Sequence, residues 1–135
     1  FINRGEKNAA SEAVSGISKF LSNNRSVAIF PEGTSSGGKN LLNFKPRLFA
    51  SCIDTGHPVQ CVIIKYPYKN KNIHPRVPFI RGDSLFLSII RILFQKDIIA
   101  EIKITELVDT KDKDRKSISN ECYGIIKNGI ENNVN

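Results

Sequence analysis

Seven consecutive residues carry the densest chemistry in the chain: Phe30-Pro31-Glu32-Gly33-Thr34-Ser35-Ser36. Glu32 sets a carboxylate beside the apolar ring of Phe30, and Gly33 permits a tight turn or a close backbone approach. Thr34, Ser35 and Ser36 follow with hydroxyls and free N–H groups. The segment comes directly after the apolar run Ser26-Val27-Ala28-Ile29-Phe30. The carboxyl end of such a strand is where open α/β sheets hold their ligands. The same composition also suits an ordinary surface turn. The spacing is not that of a P-loop, because no GxxxxGK[ST] is present, and there is no GxSxG elbow.

Cations stand ready for anionic groups near this segment. Arg4 and Lys7 follow an apolar-polar start, and Arg4 has the planar fork that grips a phosphate with two hydrogen bonds. Lys45 and Arg47, where a helix should begin, are similar phosphate candidates. Each would serve equally as a solvated rim charge. His57 precedes Pro58 and His74 precedes Pro75, with no Ser, Cys or Asp at a spacing that suggests a relay. There is no HExxH, and Cys52, Cys61 and Cys122 are too widely spaced for a zinc framework, so no metal is expected. The odd thiol count reads as buried cysteines in a reducing compartment.

The elements that must position these residues follow from periodicity. Ala13, Val14, Ile17, Phe20 and Leu21 recur at helical spacing over Ser11 to Leu21, with Ser11 as a cap. Residues 26–30 are nearly all apolar, as in a strand buried on both faces. Lys45 to Asp54 suits a helix with Pro46 in its first turn and Gly56 as its stop. Val59 to Tyr66 is a second apolar strand. Residues 67–82 are proline-rich and irregular, and a helix capped by Asp83 or Ser84 runs to about Phe94. Residues 98–107 begin apolar and then alternate, as an edge strand does, and Arg115 to Ile130 closes the chain as a helix. The alternation predicts one α/β domain with a mixed, largely parallel sheet flanked by helices.

With 135 residues, there is room for one domain. The net charge of +7 points to anionic partners: nucleic acid, phosphorylated small molecules or an acidic membrane face. Lys65, Lys69, Lys71, Arg76 and Arg81 lie among Tyr66, Tyr68 and Phe79, a mixture that suits single-stranded nucleic acid or anionic lipid. No apolar run approaches the roughly 20 residues that span a bilayer. Phe86, Leu87, Ile90, Leu93 and Phe94 read as core, with a membrane surface as their other use.

Taken together, Phe1-Ile2-Asn3-Arg4, then Phe30 to Ser36, then Pro58-Val59-Gln60 resemble three successive blocks of the glycerolipid acyltransferase family, which includes the 1-acyl-sn-glycerol-3-phosphate acyltransferases. Leu42-Asn43-Phe44-Lys45 is similar to the stretch that follows the third block, and a weak likeness continues through Gly82-Asp83. The resemblance implies a glycerol-3-phosphate acyltransferase-like fold. It also implies transfer of a fatty acyl group from acyl-CoA or acyl carrier protein, as co-substrate with no resident cofactor, to a lysophospholipid hydroxyl. The acceptor implied first is 1-acyl-sn-glycerol-3-phosphate, giving phosphatidic acid. Another lysophospholipid, a lyso-ornithine lipid and glycerol-3-phosphate stay open, as does a non-catalytic lipid- or nucleic-acid-binding domain.

Carried onto this chain, the resemblance makes Arg4 the phosphate clamp and Glu32 a catalytic residue fixing substrate or neighbouring backbone. Gly33, Thr34 and Ser35 join the glycerol-phosphate side, and Pro58 and Val59 shape the crevice. The family's first block, a histidine and an aspartate four residues apart acting as base and orienter, is not among these residues. The chain opens on Phe1 rather than Met. The expectation is therefore that residues 1–135 are the carboxyl-side part of a single acyltransferase domain, inactive alone, with the base upstream of Phe1. Two departures stand out: Ser35 where arginine is common, and Asn3 where aspartate is common. The implied setting is the cytoplasmic face of an anionic membrane, with no nucleic-acid partner.

Overall fold

The computed structural model describes residues 9–38, 40–69, 73–80 and 82–131. Helix α1 spans Ala9–Ser22, a 3-10 turn at Pro46–Phe49 leads into helix α2 (Ala50–Thr55), and strand β1 runs Val59–Lys65. Helix α3 (Leu85–Leu93), strand β2 (Glu101–Val108) and helix α4 (Arg115–Glu131) complete the order. Among the described residues, no helix is long and apolar enough to cross a membrane.

Local signals place most boundaries. Pro46 occupies the first position of its turn, where its missing N–H costs nothing. Gly56 ends α2 in the left-handed region at φ 67°, its N–H reaching back to Ile53. Ser11, expected to cap α1, lies inside that helix, and its hydroxyl accepts a hydrogen bond from the Arg47 guanidinium at 2.5 Å. The contact ties α1 to the turn before α2, which packs beside it.

The expectation of a largely parallel sheet is overturned. Among the described residues the sheet has two strands, β1 and β2, and they run antiparallel, pairing Lys65 with Glu101 and Val59 with Val108. Parallel pairing requires a crossover that carries the chain back to the end at which the first strand began. Here the chain leaves at Lys65, passes the prolines at 67, 75 and 78 and the nine residues of α3, and re-enters beside the end it left. Helix α3 packs extensively on no other described element, so it does not serve as a crossover.

Residues 26–30 are also corrected: they are not a strand, having no ladder partner among the described residues. Val27 and Ile29 turn inward to half-buried positions, while Phe30 is 80% exposed. An apolar run favours extended backbone, but a ladder needs a neighbour at hydrogen-bonding distance, which composition alone does not supply.

The core lies between the Pro46–Thr55 segment, β1 and α4. Phe44, Phe49, Cys52, Cys61, Val108, Ile118 and Cys122 form its buried cluster. Ile118 and Cys122 are four residues apart, one turn of α4, and so face the same neighbours. Phe44 meets Tyr123 edge-on, with ring centroids 5.4 Å apart. The three cysteines are free and buried. Burial pushes the Cys52 thiol up, and hydrogen bonding with Cys61 together with burial pushes Cys122 up. Both therefore remain protonated at neutral pH and act as small apolar fillers.

Two outcomes follow. Ile118 is fully buried, so Ile118→Ala should lower unfolding free energy by about 2–5 kcal/mol. Urea unfolding of the protein checks this, and an unchanged midpoint would remove Ile118 from the core. Asp114 caps α4: its Oδ1 accepts the Ser117 N–H at 2.6 Å, and this hydrogen bond holds its carboxyl below the usual range. The cap's contribution is thus present above the ordinary aspartate pKa and lost as pH falls through the depressed one. Asp114→Ala should lower the unfolding midpoint at neutral pH and leave it unchanged in strong acid. A deficit of equal size at both pH values would refute the charge-dependent cap.

Candidate functional site

The site begins with how the loop after Phe30 is closed. Phe30 C=O accepts the Gly33 N–H at 3.0 Å, making a tight turn in which Gly33 adopts φ 71°. That left-handed angle is cheap for glycine and strained for other residues. Pro31 C=O then accepts the Lys45 N–H at 2.9 Å, and Glu32 Oε2 accepts the Leu42 N–H at 2.9 Å. The chain leaves at Pro31 and returns at Lys45, so the loop's two ends lie side by side. Thr34 and Ser35 stand exposed on it. Ser36 Oγ accepts the Gly38 N–H, which holds the next turn.

Beside this loop lies a groove of about 500 Å³, within the range of about 300–1,000 Å³ typical of small-molecule sites. Val27 to Glu32 form part of one wall, and Pro58 through Ile64 form another. Ile17, Leu21, Phe49, Cys122 and Ile126 lie deeper. The lining is predominantly apolar, and among the described residues Glu32 is the one carboxylate in it.

The structure thus brings Glu32, Pro58 and Val59 together along one groove. Gly33, Thr34 and Ser35 lie on the adjoining loop and do not line it. Arg4, with Lys7, Lys71 and Arg81, lies outside the described residues. Neither histidine stands in this groove. His74 is buried, its Nδ1 accepts the Arg76 N–H at 3.2 Å, and its ring meets Tyr68 edge-on. The His57 carbonyl accepts the Thr110 hydroxyl. The His74 imidazole thus holds a chain turn, whereas His57 Nδ1 is buried without a hydrogen-bond partner among the described residues.

The basic surface is divided among separate tasks. Lys65 donates to the Ile130 carbonyl near the end of α4, a favourable place for a cation. Lys69 lies over the Tyr68 ring, and Arg91 is bound to Pro78 O and Asp83 Oδ2. The outer face of the sheet carries Val62, Ile64, Ile102 and Ile104, all exposed and aliphatic, with no aromatic platform for bases. The amide of Leu42 is the partner that sequence reasoning did not single out. No local pattern pairs a glutamate with a backbone N–H ten residues away.

A family model described as Acyltransferase matches residues 1–65. A lyso-ornithine lipid O-acyltransferase of Pseudomonas aeruginosa is 29% identical over 111 residues, 82% of this chain and 43% of its own length. A 1-acyl-sn-glycerol-3-phosphate acyltransferase of Neisseria gonorrhoeae is 36% identical over 66 residues, 49% of this chain and 26% of its own length. The chain therefore spans less than half the length of these curated relatives. In fold it is similar to the crystal structure of the 1-acyl-sn-glycerophosphate acyltransferase of Thermotoga maritima. The TM-score is 0.61 at 23% identity, over 96% of this chain and 45% of that one. The Phe30-to-Ser36 loop and these likenesses converge, and together they support membership of the glycerolipid acyltransferase family.

Proposed function

We propose that the protein moves a fatty acyl group from acyl-CoA or acyl carrier protein to the free hydroxyl of a lysophospholipid. The favoured acceptor is 1-acyl-sn-glycerol-3-phosphate, and the product phosphatidic acid. The observation that carries the reading is the placement of Glu32, one oxygen on the Leu42 amide, at the polar end of an apolar groove. An acyl chain occupies the groove, and the polar head lies on the loop of Gly33, Thr34 and Ser35. Pro58 and Val59 shape the opposite wall, and Arg4 grips the phosphate.

Acyl transfer to an alcohol needs a base to take the hydroxyl proton as the thioester carbon is attacked. A His-x4-Asp pair is not among the 135 residues. The proposal therefore places the proton-accepting histidine on polypeptide outside them. The role of Glu32 is positional: its carboxylate fixes the loop, and with it the acceptor's orientation toward that base.

A second acceptor, a lyso-ornithine lipid, has its own support. The relative aligned over 82% of the chain carries that name, and Ser35 removes a cation from the third block. A panel of lysolipid acceptors offered to the intact protein, with acyl-CoA and acyl carrier protein as donors, decides between them. Glu32→Ala should lower kcat/KM by on the order of 100-fold through lost positioning. Unchanged turnover in that variant would refute the role of Glu32, and no acyl transfer to any member of the panel would refute the function.

The setting proposed is peripheral contact with the cytoplasmic face of an anionic membrane. Leu85, Phe86, Leu87, Leu93 and Phe94 on and beside α3 are each more than 60% exposed, and the net charge is +7. The protein should sediment with phosphatidylcholine vesicles containing phosphatidylglycerol and less with phosphatidylcholine alone. Phe86→Ser combined with Phe94→Ser should weaken the partition roughly tenfold or more. Equal binding by the double variant would show that α3 faces something other than lipid.

A further inference from the structure

Lys45 is held against the Glu32 loop in a way its exposed position does not require. Its backbone N–H is pinned to Pro31 O at 2.9 Å, and its side chain lies back across Gly33. A Cβ built on Gly33 would stand 2.8 Å from Lys45 Nζ, 2.9 Å from Cε and 3.2 Å from Cδ. The glycine therefore does two things. It adopts φ 71°, and it leaves open the space through which the lysine side chain passes.

The ammonium lies on the loop that carries the Glu32 carboxylate but is not neutralised by it. Glu32 uses Oε2 on the Leu42 amide, and no ion pair links the two residues. Among the described residues, ion pairs join Arg91 to Asp83 and Lys113 to Glu121, and neither involves Lys45. Arg47, the neighbouring cation, is occupied by the Ser11 hydroxyl. Lying on a glycine costs a lysine rotamer freedom, and no hydrogen-bond acceptor among the described residues repays that cost. The adjoining Thr34 and Ser35 are exposed and offer hydroxyls and N–H groups, the donors that complete a phosphate's hydrogen bonds.

We propose that Lys45 Nζ, laid over Gly33, is a phosphate-binding group of this site, acting with the Thr34 and Ser35 hydroxyls. The inference deepens the acyltransferase reading and rests on it for the identity of the phosphate. A lysophosphatidate acceptor and the acyl-CoA donor both carry the required monoester. Lys45 supplies the positive charge from fourteen positions downstream of Pro31, brought to the loop by the Pro31–Lys45 hydrogen bond.

The test has a binding arm and a kinetic arm, both on the intact protein. Inorganic phosphate and glycerol 3-phosphate are titrated by calorimetry into wild type, Lys45→Met, Lys45→Arg and Gly33→Ala. Lys45→Met should weaken phosphate binding about tenfold to 100-fold, as expected for loss of a charge-assisted hydrogen bond, without moving the thermal midpoint. Lys45→Arg should restore most of it. Gly33→Ala, whose methyl displaces the ammonium, should weaken it as well. In the kinetic arm a raised KM for lysophosphatidate alone assigns the acceptor's phosphate, and a raised KM for acyl-CoA alone assigns the donor's. Equal phosphate affinity in wild type and Lys45→Met overturns the proposal whether or not lysolipids are acylated. Phosphate binding that depends on Lys45, without lysolipid turnover, upholds the site and refutes the acyl-transfer reading.

Discussion

The Glu32 site depends on closing one loop. Pro31 C=O to Lys45 N–H, and Glu32 carboxylate to Leu42 N–H, bring the two ends of the segment together. Closing a loop of roughly a dozen residues costs on the order of 2 kcal/mol in chain entropy. A hydrogen bond to a charged group contributes about 1.5–3 kcal/mol, and a neutral one about 1 kcal/mol. The two bonds roughly offset the closure, so what decides it is where the returning strand is anchored. Phe44, immediately before Lys45, is buried against Phe49 and Tyr123. Loop and core thus stabilise each other, since the loop cannot open without drawing Phe44 out of the core.

The same anchoring explains why the groove lies where it does. The turn at Pro46–Phe49 and helix α2 pack on α1, while α4 packs on both that turn and β1. These contacts hold the extended run of residues 26–30 to one side and β1 to the other. Between them is a space lined by Val27, Ile29, Val59 and Cys61, with more apolar side chains beneath. Two extended segments that were fully paired would leave no room for a ligand between them. Among the described residues the 26–30 segment has no ladder partner, and the groove lies beside it.

Charge is divided by location. Lys65 satisfies a helix-end carbonyl, Arg91 braces the chain before α3, and Lys113 pairs with Glu121. Among the described residues, Lys45 is the cation that the backbone carries to the glutamate loop. Exposed aliphatic and aromatic side chains gather on α3 and on the outer face of the sheet, away from the buried Phe44–Cys122 cluster. A face of this kind leaves contiguous apolar surface open on a chain of net charge +7.

Much of this organisation is legible in the residues themselves. Pro46 and Gly56 mark the ends of one helical segment, Ile118, Cys122 and Ile126 mark the inner face of another, and the Phe30-to-Ser36 block marks the turn beside the groove. These signals are local: a helix is stabilised within a few residues of itself, and a tight glycine turn within four. The direction of β2, the unpaired state of residues 26–30 and the position of α3 were not legible in the same way. An apolar run favours extended backbone equally in a parallel strand, an antiparallel strand or a groove wall. Which one forms depends on neighbours brought together by contacts distant in sequence. The sequence alone determined the family blocks, the helical faces and the chemistry available at Glu32, because each is encoded within a few residues. Only the tertiary structure decided that Glu32 holds Leu42, that Lys45 lies on Gly33, and that Pro58 and Val59 line the same groove. Hydrogen bonds and packing between residues far apart in sequence exist only once the chain has folded.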